Sequence, residues 1–245
     1  MELTGFGSHL AWAACVLGLA LLLRARRKGS WHPRLSATDL TGKTAIVTGA
    51  NSGLPFSITA EGLEQTFATN YLGPFLLTNL LLDTMKGSAP ARIVNVSSFT
   101  HFQGVANVKH LTGEERPKNF DQAYKSTKLM NVLFTNELAR RLQGTGVTAN
   151  SLNPGIVKTE IMRHFNWLVR LLYSIIGIFL MSAEEGAAST IYCAVSEEVA
   201  DVTGKYFDSD CRLVLPSAAA RDPGLARKLW EESERLTGLA ESRGT

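Results

Sequence analysis

At 245 residues the chain is long enough for one domain with a full core. Its 45% hydrophobic and 19% charged content is that of a globular protein and excludes a disordered chain. The formal charge of +3 traces to one local patch, Arg24, Arg26, Arg27 and Lys28, which gives no footing for a nucleic-acid partner.

Before that patch, Leu10 to Leu23 is a run of 14 residues without a polar side chain, and reaching back to Gly5 makes 19 with only Ser8 and His9 interrupting. That approaches the roughly 20 residues that span a bilayer. Glu2 precedes the run and the Arg/Lys cluster follows it, the reverse of a cleaved secretory signal. The expectation is an uncleaved transmembrane helix within residues 1–28, with everything from residue 24 onward in the cytosol. Residues 29–39 read as a polar, Pro-containing linker, and residues 40–245 as the folded domain. Cys15, Cys193 and Cys211 are scattered and odd in number, which fits a reducing compartment. They share no ligand spacing with the dispersed histidines, so no metal site is expected.

In the domain, Thr44 to Thr48 reads as a strand, and Thr48-Gly49-Ala50-Asn51-Ser52-Gly53 as a turn of small residues whose backbone amides can approach a phosphate. A helical segment follows from Thr59 to about Met85. Arg92 to Ser98 is a short apolar run ending in hydroxyls, the pattern of a buried parallel strand, here 92–97. Residues 99–119 form a long polar connection. Helix 121–143 has apolar residues at three- and four-residue intervals, strand 147–152 follows, and helices at 182–195 and 222–236 flank a short last strand at 204–208. Such alternation predicts a parallel α/β sheet. Ile161 to Met181 is apolar apart from a few positions and reads as a second span, a membrane-dipping lid or a core helix.

The chemistry concentrates in Tyr124-Lys125-Ser126-Thr127-Lys128. Tyr124 and Lys128 are four apart and share one helix face, with Cβ atoms about 5–6 Å apart. A phenol titrates at about 10, and an adjacent ammonium favours the phenolate, so the pair is expected to exchange a proton with a substrate oxygen near neutrality.

Strand-Ser97-Ser98, then Tyr124-x-x-x-Lys128, then strand-Asn153-Pro154-Gly155, in this order, resembles the short-chain dehydrogenase/reductase family. Lys43 to Gly53 looks like that family's first strand and nucleotide loop. Within the family the likeness is to the membrane-bound retinol dehydrogenase group, carried by Asn70 to Leu82, Ile93 to Ser98 and Lys128 to Leu142. The resemblance implies a Rossmann-like parallel sheet with helices on both faces. It also implies roles. Tyr124 would be the general acid or base, Lys128 would lower its pKa and hold the nicotinamide ribose, Ser98 would orient the substrate oxygen, and Asn70 would hold a proton relay. Thr48, Gly49, Asn51, Ser52 and Gly53 would belong to the phosphate loop. Pro154, Gly155, Val157 and Thr159 would line the nicotinamide side of an NADP or NAD cofactor, NADP being favoured.

After Gly53 the family continues as Gly-x-Gly into a helix, with further strands and an Asn-Asn-Ala-Gly turn; here the next residues are Leu54-Pro55-Phe56-Ser57. Roughly two βα units, at some 30 residues apiece, are missing. The break looks like an internal deletion of the kind splicing produces. The implied function is an NAD(P)-dependent oxidoreductase for hydrophobic, retinoid-like alcohols, aldehydes or ketones, anchored in the endoplasmic reticulum membrane and impaired by the deletion. The alternative is a catalytically inactive, splice-type variant that acts as a membrane-tethered binding partner or is simply non-functional. A homo-oligomer and association with an intact relative both stay open.

Overall fold

The computed structural model describes residues 31, 38–48, 59–60, 62–107, 109, 115, 120–157 and 180–242. Its centre is a sheet in the order β1 (Ala91–Val96), β2 (Val147–Leu152), β3 (Tyr206–Phe207), β4 (Leu213–Val214). The first three strands are parallel and β4 returns antiparallel to β3. Ala91 pairs with Val147 and Val96 with Leu152, so β1 and β2 end level with each other. Both faces carry helices, as the alternating sequence pattern predicts.

One face takes three helices, α1 (Gly73–Gly87), α2 (Phe120–Arg141) and α4 (Pro223–Leu236). The other takes α3 (Ala183–Val195). Side chains alternate accordingly. Ile93 and Ala149 join the core under α2, while Val94 and Leu152 pack with Tyr192, Cys193 and Phe207 on the α3 side. Helix α2 is the axis of the domain. Leu129, Met130, Val132, Leu133, Phe134 and Leu138 are all buried, because sheet, α1 and α4 cover it on several sides. Its one buried acid, Glu137, accepts from Arg140 at 2.6 Å and Arg141 at 2.7 Å, contacts that hold its carboxyl below the usual range. Arg141 also lies over the Trp230 ring of α4, 4.3 Å from its centroid.

Local chemistry sets the helix ends. Ser182 and Glu185 form a reciprocal capping box at the start of α3, and Asp222 accepts from the amides of Gly224 and Leu225 ahead of Pro223-initiated α4. The segment expected as a helix from Thr59 begins at Gln65, where Glu64 caps the amide of Phe67. It passes through a π-helical turn, Ala68–Leu72, before α1. The sequence reading missed β4, whose partner β3 it placed at 204–208. The reversal between them closes through Asp208 N–H to Arg212 and Cys211 N–H to Asp208, with Cys211 at φ 61°.

One expected strand is absent. Residues 43–48 carry no strand, Ile46 is 66% exposed and Val47 90%. A strand needs a neighbour to take its backbone groups. Among the described residues none pairs with this segment, and none lies beyond the outer edge of β1. The expected membrane segment, Gly49 to Leu54 with the deletion point, Thr159 and residues 161–179 fall outside the described residues. Among those described, no helix is long and apolar enough to cross a membrane.

Candidate active site

The C-terminal ends of β1 and β2 deliver the polar groups. Ser97 N–H donates to Leu152 C=O at 2.7 Å, which carries the parallel pairing one residue past β1 and sets Ser98 beside the turn after β2. Ser97 turns its hydroxyl inward, donating to the Lys128 carbonyl at 2.7 Å, and so fixes the strand end to the first half of α2. Ser98 is the serine that meets Tyr124. Its hydroxyl bonds the Tyr124 phenol and accepts from Thr100 N–H at 3.2 Å, capping a short 3-10 turn at Phe99–Gln103.

Tyr124 and Lys128 share a face of α2, as the four-residue spacing predicts, with Nζ 5.3 Å from the ring centroid. Nζ donates one hydrogen bond, to Val96 C=O at 3.2 Å. Burial pushes the Lys128 amine down to about 8. The expected effect on Tyr124 is reversed. Burial raises the phenol above its ordinary value, and the Ser98 bond offsets only part of that rise. The reason is burial: the phenolate would lose its water, and an ammonium 5.3 Å from the ring centroid does not offset that loss.

Asn70 lies in the π-helical turn before α1. Its amide donates to Thr127 Oγ1 at 3.4 Å, and that hydroxyl donates to the Tyr124 carbonyl at 2.7 Å. Asn70 therefore reaches, through Thr127, the backbone of the α2 turn that carries Tyr124. After β2, Asn153 organises the Asn-Pro-Gly turn. Its carbonyl oxygen accepts from Gly155 N–H at 3.0 Å, and its amide donates to Asp208 at 3.1 Å. Gly155 sits at φ +84°, where a Cβ would press on Met181 Sδ and lie 3.1 Å from Ser209 Cβ. Val157 then bridges to Met181 and packs where Gly186 of α3 leaves no room for a side chain. Thr48 is not brought to this cluster's strands; it ends the exposed 43–48 segment.

Two supporting residues escaped the sequence reading. His101 is fully buried. Its Nε2 accepts from Ser217 N–H at 3.1 Å, which makes Nδ1 the protonated nitrogen donating to Ser98 C=O at 2.7 Å. Gly104 lies so close to α2 that a Cβ would collide with the Lys125 carbonyl and come within 2.8 Å of Leu129 Cβ. Next to it, Val105 N–H donates to Ser126 Oγ at 3.2 Å. The 99–105 loop is thus strapped against the turn that carries Tyr124. Its spacing, a Ser followed by His three residues on and Gly three further, was the signal available.

The residues present fit the nicotinamide and ribose end of a dinucleotide. Lys128 uses one of its three donors, and the turn at Gly155 leaves backbone where a side chain would intrude.

A family model described as short chain dehydrogenase matches residues 55–167. Human (Homo sapiens) retinol dehydrogenase 13 is 46% identical over 190 residues, covering 76% of this chain and 57% of that protein. Human retinol dehydrogenase 12 is 46% identical over 186 residues, covering 76% and 58%, and human retinol dehydrogenase 11 is 44% identical over 185 residues, covering 76% and 57%. The chain therefore spans little more than half the length of these curated relatives. Among solved structures, the crystal structure of an uncharacterised protein from Mycobacterium paratuberculosis matches with a TM-score of 0.58 and 32% identity, over 76% of this chain and 63% of that one. Fold, site order and these likenesses agree: the chain belongs to the short-chain dehydrogenase/reductase family, in its retinol-dehydrogenase-like group.

Proposed function

We propose that this chain carries the proton-transfer half of an NAD(P)-dependent oxidoreductase acting on hydrophobic alcohols, aldehydes or ketones, and that its turnover is strongly reduced. The convergence of Ser98, Tyr124 and Lys128 at the C-terminal end of β1 carries the reading. Tyr124 gives a proton to a carbonyl oxygen, or takes one from an alcohol. Ser98 orients that oxygen by hydrogen bonding. Lys128 turns its spare N–H groups to a ribose diol. A bound nicotinamide supplies or accepts the hydride. Phe99, Phe102, Val105 and Ile156 are exposed on the two loops that flank the site, a rim suited to an apolar substrate such as a retinoid. Retinol dehydrogenases among the relatives support that class.

The impairment follows from the other half. Contacts to pyrophosphate and adenosine would come from the Thr48 to Gly53 turn, and the 43–48 segment leading to it has no strand partner among the described residues. A misplacement of about 1 Å can cost about a hundredfold in rate. Purified chain titrated with NADPH, followed by nicotinamide fluorescence, should bind far more weakly than a variant carrying a relative's intervening block after Gly53. Micromolar binding and turnover by the unaltered chain would refute the impairment.

The same proposal places residues 5–23 in the endoplasmic reticulum membrane with the domain on the cytosolic side, from the order of apolar run and basic cluster. Protease added to sealed microsomes should remove a C-terminal tag; a protected tag would reverse the orientation.

A further inference from the structure

The described sheet leaves two unmatched halves of a strand pair. Among the described residues β1 is an edge strand. Ala91 N–H bonds Gly146 C=O and Ser97 N–H bonds Leu152 C=O, so the odd-numbered backbone groups serve β2. The N–H and C=O groups of Arg92, Val94 and Val96 therefore point to the outer edge, where Lys128 takes the Val96 carbonyl. Three of the six residues of β1 present their backbone groups at that edge.

The second half is Lys43–Thr48, equal in length. Thr44, Ile46, Val47 and Thr48 are β-branched, the composition that favours pleated pairing, and all six residues are exposed. The chain before them is anchored. Trp31 packs edge-on against Tyr192 at 5.3 Å, and Thr38 Oγ1 donates to Val195 C=O at 3.2 Å. A turn at Leu40–Lys43, with Lys43 N–H to Leu40 C=O at 3.0 Å and Gly42 at φ +74°, then sends the segment into solvent. An anchored stem, a tight turn and an unpaired β-forming segment make a strand held off its own sheet.

We propose that the outer edge of β1 accepts residues 43–48 of a second copy of this chain. The addition is reciprocal: each copy donates one segment and accepts one, so a two-fold dimer closes with neither copy's β1 edge left open. The self-complementary pair supplies the occupant, because the outer edge of β1 and residues 43–48 are both without a strand partner among the described residues of one chain. Exposed edges of this kind otherwise template open-ended association.

The test uses the full chain in density-matched detergent. Sedimentation equilibrium should show a monomer–dimer equilibrium, and Val47→Pro, which removes a backbone donor at a position 90% exposed, should raise its dissociation constant by at least about tenfold. Hydrogen exchange should show protection at residues 44–48 and at Arg92, Val94 and Val96 rising together with protein concentration. A chain monomeric to about 100 μM, or a dimer indifferent to Val47→Pro, overturns the proposal. Protection that ignores concentration also overturns it, because the segment then pairs within its own chain. None of these outcomes depends on cofactor binding or turnover.

Discussion

The Lys128 ammonium nitrogen stands 5.3 Å from the centroid of the Tyr124 ring, over its face, and gives its one hydrogen bond to Val96 C=O. The two share one face of the helix, and burial opposes the charged form of each, raising Tyr124 and lowering Lys128 to about 8.

Tyr124→Phe keeps the packing and removes the transferable proton, so any turnover of the chain, or of the variant with the restored block, should fall by about a hundredfold or more. Equal rates in the two would remove Tyr124 from the mechanism.

Lys128 also leaves a mark on stability. Its folded pKa of about 8 lies below the ordinary 10.5, so between these values the unfolded chain binds more protons and stability rises with pH. Read downward, that gain is complete above 10.5 and lost as pH falls through about 8. In urea unfolding, Lys128→Met should abolish this rise, and it should be more stable than the parent at pH 7. A parent curve flat across this window would contradict the burial of the amine.

His101 sets an acid limit. Burial holds its imidazole below the ordinary 6.5, and its Nε2 must stay unprotonated to accept from Ser217 N–H. Its contribution is present above about 6.5 and fades as pH falls toward the folded value. His101→Gln, able to accept but not to titrate, should flatten the acid limb of the stability profile. His101→Leu, which leaves the part-buried Ser217 amide unpaired while the Ser98 carbonyl keeps the His101 N–H, should cost about 1–3 kcal/mol.

Gly104→Ala tests the strap. The new methyl meets the Lys125 carbonyl, which is backbone and cannot swing aside. Overpacking of this kind costs about 1–3 kcal/mol. Because the loop also bears Ser98, a shift should lower the turnover of the block-restored variant more than its cofactor affinity. An unchanged unfolding midpoint and rate would show that the loop yields freely.

Local pattern fixed much of this protein before any fold was known. The four-residue spacing puts Tyr124 and Lys128 on one face wherever the helix goes, and the apolar run ending at Ser98 reads as a buried strand because both its faces are covered. Asp222-Pro223 and Ser182-x-x-Glu185 announce helix starts through chemistry confined to one turn. The roles of His101 and Gly104 were not legible in the same way, since they depend on Ser217 and Lys125, which the fold brings near. Nor was the direction of the Tyr124 shift, which is set by burial. The fate of Thr44 to Thr48 shows the division most clearly. Its residues are strand formers, but a strand exists only when another backbone takes its hydrogen bonds, and no described strand of this chain does so.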